Sequence, residues 1–213
     1  MFMDVIRLPH RTEDLAPRQI QKVNRLRRPL IDDRGSRQHA TNRRVKRAMA
    51  DGLVAAGVTG VLDWGCGYHP LRPYLPRDVA LVGVDIDPEV VAENRRLGLE
   101  CYDPEDAALQ YADRPPSALV SVFVFHFRLP TAHIAAMAEL VGTDGFLLAN
   151  VYRRDEQSRG RLVTAFRERG LQVTREKDPT EAATGHEFWF LARPRVTGNL
   201  ADKVLHTVLR GMA

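Results

Sequence analysis

The chain has 213 residues, room for one α/β domain with a full core and a small appendage. Hydrophobic residues make up 44% and charged residues 27%, an ordinary globular balance. No apolar run approaches the roughly 18 residues of a spanning helix, which excludes a helical membrane protein, and the first residues lack the apolar stretch of a secretory leader. A cytoplasmic location is therefore expected, with Cys66 and Cys101 as free thiols and no metal-like spacing of ligands.

The net charge of +4 is unevenly placed, because residues 1–50 carry 13 Lys and Arg against 5 Asp and Glu. The remaining residues carry 18 against 22. A basic arm on a mildly acidic body is either solvated and paired internally or a surface for an anionic partner such as RNA.

In chain order, a short basic helix is expected over residues 19–30, ended by Pro29. Asp32-Asp33-Arg34-Gly35 reads as a turn. A helix follows over 36–56, with Val45, Met49, Leu53 and Val54 on its apolar face and Gly57 as its stop. Strands are expected over 59–63 and 79–85, the second a near-continuous apolar run suited to burial on both faces. Asp87 caps a helix with Pro88 at its first position, running to Gly98. A short strand covers 99–102 and a longer one 117–125. A helix over 131–141, a strand over 145–152 and a helix over 158–169 come next. Two last strands, 171–176 and 186–192, precede a helical tail over 199–209. Strands alternating with helices imply a doubly wound, mostly parallel sheet. The basic arm is assigned to 1–44, the core to 45–194 and the tail to 195–213. The tail either packs internally or forms a dimer contact.

Chemistry concentrates where the first two strands end. Val61-Leu62-Asp63-Trp64-Gly65-Cys66-Gly67 closes a strand on an acid and two glycines, which let the backbone turn tightly against a ligand. Asp85 closes the second strand, and one carboxylate there suits the two hydroxyls of a ribose. The loop lacks the lysine of a phosphate loop, and Asp63 would repel phosphate. An acidic loop favours a ligand that is positive at that end. S-adenosylmethionine combines ribose, ammonium and sulfonium.

Asp63-Trp64-Gly65-Cys66-Gly67 followed by Gly83-Val84-Asp85-Ile86-Asp87-Pro88 resembles the class I, Rossmann-like S-adenosylmethionine-dependent methyltransferases over about residues 45–192. His69 stands where that family's pattern has a third glycine. The resemblance implies a seven-stranded sheet whose seventh strand runs antiparallel between the fifth and sixth, with helices on both faces. It implies that Gly65, Cys66 and Gly67 line the cofactor and that Asp85 holds the ribose. Ile86 would cover the adenine, and Asp103 or Asp106 would meet its edge. Asp63 would sit near the methionine ammonium, or bond the amides of its own loop. His126, at the exit of the fourth strand, would lie beside the transferring methyl as general base, substrate anchor or structural residue. Phe125 and Phe127 either wall the acceptor or fill the core. Tyr68, His69, Tyr152, Arg153 and His186 are further pocket candidates. The chain lacks the family's base-amine motif, Asp or Asn followed by Pro-Pro and an aromatic. The leading expectation is a methyltransferase for a small-molecule acceptor. The alternatives are an RNA methyltransferase using the N-terminal arginines, and a non-catalytic scaffold.

Overall fold

The computed structural model describes residues 12–196 and 198–213. The part of the basic arm before residue 12 therefore lies outside the described residues. Seven strands form one sheet: β1 (Gly60–Trp64), β2 (Ala80–Val84), β3 (Cys101–Tyr102), β4 (Ala118–Ser121), β5 (Phe146–Val151), β6 (Gln172–Lys177) and β7 (Glu187–Ala192). Their order is β3-β2-β1-β4-β5-β7-β6. The first five run parallel, and β7 pairs antiparallel with both β5 and β6. This is the seven-stranded arrangement expected from the sequence.

Period-2 geometry sends alternate residues of each strand to opposite faces. Val61 joins one core layer with α2 (Arg37–Ala55) and α7 (Asn199–Met212). Leu62 joins the other, under α5 (Thr131–Leu140) and α6 (Glu156–Arg167). The tail packs internally: α7 buries Ala201, Val204, Leu205, Val208 and Met212 in the α2 layer. Fully burying one such Val or Leu stabilises by about 1.5–3 kcal/mol, which explains why so short a stripe holds the tail in place.

The elements differ from the expectation at several points. Helix α1 (Pro17–Asp32) continues through Pro29. Contacts on both sides of the proline hold it: Arg25 pairs with Asp87, and Asp32 bonds His69. Strand β4 stops at Ser121, because Phe123 takes φ 60°, a left-handed conformation that ends the ladder. Helix α4 (Pro104–Tyr111) is an element absent from the sequence reading, although Asp103-Pro104 repeats the cap-and-proline signal of Asp87-Pro88. The boundary at residue 44 also falls inside α2, so arm and core share a helix.

Candidate cofactor and acceptor site

The strand ends place the loop. Gly65 has φ 78° and Gly67 has φ 60°, so the chain turns sharply out of β1. The Gly65 and Cys66 amides donate to the Val84 carbonyl at 2.7 and 3.1 Å, tying the loop to the end of β2. Asp85 completes the tie. Its Oδ2 accepts the Gly67 amide at 2.9 Å, and its Oδ1 accepts the Asp87 amide at 3.0 Å. Burial pushes the Asp85 carboxyl up, and these amides oppose the shift. Each carboxylate oxygen has two lone pairs, so acceptor capacity remains for a ribose hydroxyl. A side chain at Gly67 would meet nothing within 4 Å, so the backbone there borders open space.

Asp63 has a different surrounding. It is buried and accepts the Leu71 amide at 2.9 Å. Burial pushes its carboxyl up to about 6, against the pull of the neighbouring Lys46. Lys46 is itself buried on α2 and donates to the His69 carbonyl; burial lowers its pKa. Asp63 and Lys46 therefore brace the turn at residues 69–71 from beneath. The bond to a loop amide is one of the two roles expected of Asp63, and it can coexist with the other, near a ligand's ammonium. Lys46 was missed by sequence reasoning, although a lysine beside Val45 on an apolar helix face was a signal.

Cys66 and Cys101 are buried free thiols with their sulfurs 3.9 Å apart, as expected of a thiol pair. Asp103 is exposed, and its Oδ1 accepts the Glu105 and Asp106 amides at 2.9 Å as the cap of α4. Neither Asp103 nor Asp106 lines the cavity described below; Pro104 does. The other predicted residues, Gly65, Cys66, Gly67, Asp85, Ile86 and His126, share that cavity.

The cavity has a volume of about 1040 Å³. One wall is the glycine loop with Asp85 and Ile86; helix α1 forms another through Ile20, Arg27 and Ile31. Helix α1 (Pro17–Asp32) is pinned there by charge. Arg25 reaches Asp87 at 3.1 Å and Glu89 at 3.0 Å. Arg28 reaches Glu93 at 2.5 Å and sits 4.2 Å above the Tyr68 ring. The Gln21 amide donates to the Ile86 carbonyl at 3.3 Å, and Asp32 meets His69 Nε2 at 2.7 Å. So the histidine at the third-glycine position closes α1 onto the core.

The opposite wall follows β4 and β5. His126 is 1% exposed, its Nε2 lies 3.1 Å from the Tyr152 hydroxyl, and its Nδ1 has no partner among the described residues. Burial lowers its pKa well below 6.5, and Arg27, Arg153 and Arg154 push the same way. The imidazole is neutral near neutral pH. Phe125 is fully buried and stacks on Phe166, so it belongs to the core, whereas Phe127 lines the cavity.

A buried chain of polar side chains supports this wall. Asp178 Oδ2 meets His186 Nδ1 at 2.7 Å, and Asn150 Nδ2 donates to His186 Nε2 at 2.8 Å. Asn150 Oδ1 accepts the Phe123 amide at 2.7 Å. That bond satisfies the backbone where Phe123 leaves the strand in the left-handed region. Asn150 and Asp178 carry no local sequence signal for this role, since the pairing of β5 and β6 with β7 brings them together.

No family model and no curated protein matches the chain. Solved structures do. The TehB-like S-adenosylmethionine-dependent methyltransferase of Corynebacterium glutamicum is 16% identical, with 84% of this chain and 100% of that chain covered at a TM-score of 0.61. The 1,6-didemethyltoxoflavin-N1-methyltransferase of Burkholderia thailandensis, solved with 1,6-didemethyltoxoflavin and S-adenosylhomocysteine, is 16% identical, covering 91% and 97% at 0.54. The cyclase SpnF is 17% identical, covering 83% and 95% at 0.60, so the fold alone does not name a reaction. Sheet order, glycine loop and these neighbours agree: the chain has the class I, Rossmann-like fold of S-adenosylmethionine-dependent methyltransferases.

Proposed function

We propose that this chain binds S-adenosylmethionine and transfers its methyl group to a small-molecule acceptor. One observation carries the reading. The glycine loop with Asp85 and the His126–Tyr152 pair open on a single cavity of about 1040 Å³, which suits a cofactor together with a modest second ligand. Asp85 and the Gly67 backbone would hold the ribose, Ile86 would face the adenine, and Gly65 and Cys66 would border the methionine part. Asp103 and Asp106 contribute through the start of α4 and not through a carboxylate in the cavity.

When bound, the cofactor supplies an electrophilic methyl group on sulfur. The Gly65–Gly67 loop and Asp85 would hold it at one wall of the cavity, with His126 and Tyr152 at the opposite wall. Positioning supplies most of what the protein can add, up to roughly 7–11 kcal/mol for well-oriented reactants. Here α1, Phe127 and Tyr152 confine the acceptor. His126 is assigned a positioning role. Its neutral ring and its Nε2 contact with Tyr152 orient the hydroxyl in the cavity wall.

Calorimetric titration with S-adenosylmethionine and S-adenosylhomocysteine tests the reading, with Asp85→Ala alongside. Micromolar binding lost in Asp85→Ala supports it. Absence of binding to the unaltered chain overturns it and leaves the scaffold reading. The RNA reading retains one supporting observation: Arg34, Arg43, Arg44 and Arg47 are exposed. Arg25 and Arg28, in contrast, are committed to core acids.

A further inference from the structure

We infer that the acceptor is a small organic acid whose anionic group is held between Arg27 and Arg153, beside Tyr152, with its apolar part against Phe127. The inference deepens the proposed function and rests on that reading for the identity of the second ligand.

The cavity lining includes Arg27, Arg28, Arg37, Lys46, Arg128 and Arg153 against Asp14 and Asp85. Arg28 is neutralised by Glu93, and Lys46 lies beside Asp63. Asp85 is engaged by two backbone amides. Among the described residues, Arg27, Arg37, Arg128 and Arg153 form no ion pair, while Asp14 is exposed. The cavity lining is therefore net positive.

Two of these guanidiniums share the lining with His126 and Tyr152: Arg27 from α1, and Arg153 as the residue after Tyr152 in the chain. Both add to the burial that lowers the His126 pKa. The third cation nearby, Arg154, is the contrasting case. It bonds Glu13 at 3.0 Å, Ser158 at 2.7 Å and two backbone carbonyls, so it is structural. Arg154 is thus paired within the fold, whereas Arg27 and Arg153 form no ion pair among the described residues. His126 Nδ1, buried and without a partner, adds an unfilled polar atom to the same wall. Guanidiniums bind carboxylate, sulfonate and phosphate by charge-assisted, often paired hydrogen bonds. Ile20, Phe123, Phe127 and Leu129 supply apolar lining around them.

A matched pair of probes tests this. 8-Anilinonaphthalene-1-sulfonate is an aromatic anion, and N-phenyl-1-naphthylamine is the same ring system without the charge. Fluorescence titrations are run on protein saturated with S-adenosylhomocysteine. Arg27→Gln/Arg153→Gln should weaken the sulfonate probe by about tenfold or more and the neutral probe by less than about twofold. Arg27→Lys/Arg153→Lys should recover most of the loss. Arg153→Gln alone, at an exposed position, should cost about threefold and guards against misfolding of the double variant. An unchanged sulfonate affinity, an equal loss of both probes, or no sulfonate binding to the unaltered chain overturns the inference. If S-adenosylhomocysteine does not bind, the proposed function fails. The same titrations on ligand-free protein then still decide whether the anion site exists.

Discussion

Gly65→Ala is the most informative single change. A Cβ at Gly65 would stand 2.3 Å from Val124 Cγ2, and the residue has φ 78°. Two costs add. An alanine in the left-handed region costs roughly 1–2 kcal/mol. Forcing a methyl onto a β-branched neighbour that cannot rotate away costs a further 1–3 kcal/mol or so. The total is about 2–5 kcal/mol, a large share of a domain's stability. Gly67→Ala separates the terms, because at φ 60° its Cβ meets nothing within 4 Å. It should cost only the conformational part, about 1–2 kcal/mol. Val124→Ala in the Gly65→Ala background removes the clashing methyl and leaves a Cβ contact of 3.5 Å, which is ordinary. The double variant should therefore recover about 1–3 kcal/mol relative to additivity. Urea unfolding followed by tryptophan fluorescence reads this, since Trp64 adjoins the loop and is buried. S-adenosylhomocysteine titration reads the loop itself. Equal costs for the two glycine substitutions, or strict additivity with Val124→Ala, would refute the reasoning.

Asn150→Ala leaves the Phe123 amide and His186 Nε2 without partners and should destabilise by about 1–3 kcal/mol in urea unfolding. Asn150→Asp should be better tolerated at acidic than at alkaline pH, because its carboxylate needs a protonated His186. Stability should fall as pH drops below about 6.5. Burial lowers the folded values of His69, His126, His133 and His186 below 6.5, so the unfolded chain takes up protons that the folded chain refuses. Asp63 works in the opposite direction: its folded value of about 6 exceeds the ordinary 3.8, so its contribution is present in acid and lost as pH rises through that window. Urea midpoints from acid to neutral pH should show a flatter fall for His126→Phe and a steeper one for Asp63→Asn. Arg25→Gln/Arg28→Gln, or about 1 M salt where the screening length is roughly 3 Å, should open α1 to limited proteolysis. Neutralising Arg34, Arg43, Arg44 and Arg47 should leave any RNA binding unchanged if the acceptor is small, as measured by filter binding across salt.

Much of this was legible because it is encoded locally. Periodicity places the seven strands and most helices, since burying one face imposes a fixed spacing on apolar residues. The Asp63-x-Gly-x-Gly turn is visible because a tight turn needs glycine, and Asp85 because it directly follows the apolar run of the next strand. Asp87 and Pro88 start α3 (Pro88–Arg96) as expected. The same logic misled at Asp103, whose carboxylate caps α4, and at Pro29, where tertiary ion pairs outweigh a helix-breaking residue.

What the chain alone determined, then, is the order of elements and the ligand-facing turn, because each depends on neighbours within one or two turns of backbone. Tertiary structure decided how the charges are spent. The arm's Arg25 and Arg28 meet acids more than 60 residues away, at the cap of α3 and within it, while Arg27, between them on the same helix, lines the cavity with no ion pair among the described residues. Asp63 becomes a brace through a lysine from α2, and Asn150 holds Phe123 through a contact between β5 and the exit of β4. A pairing energy depends on distance and burial, and neither quantity exists in a sequence until the sheet has brought its strand ends together.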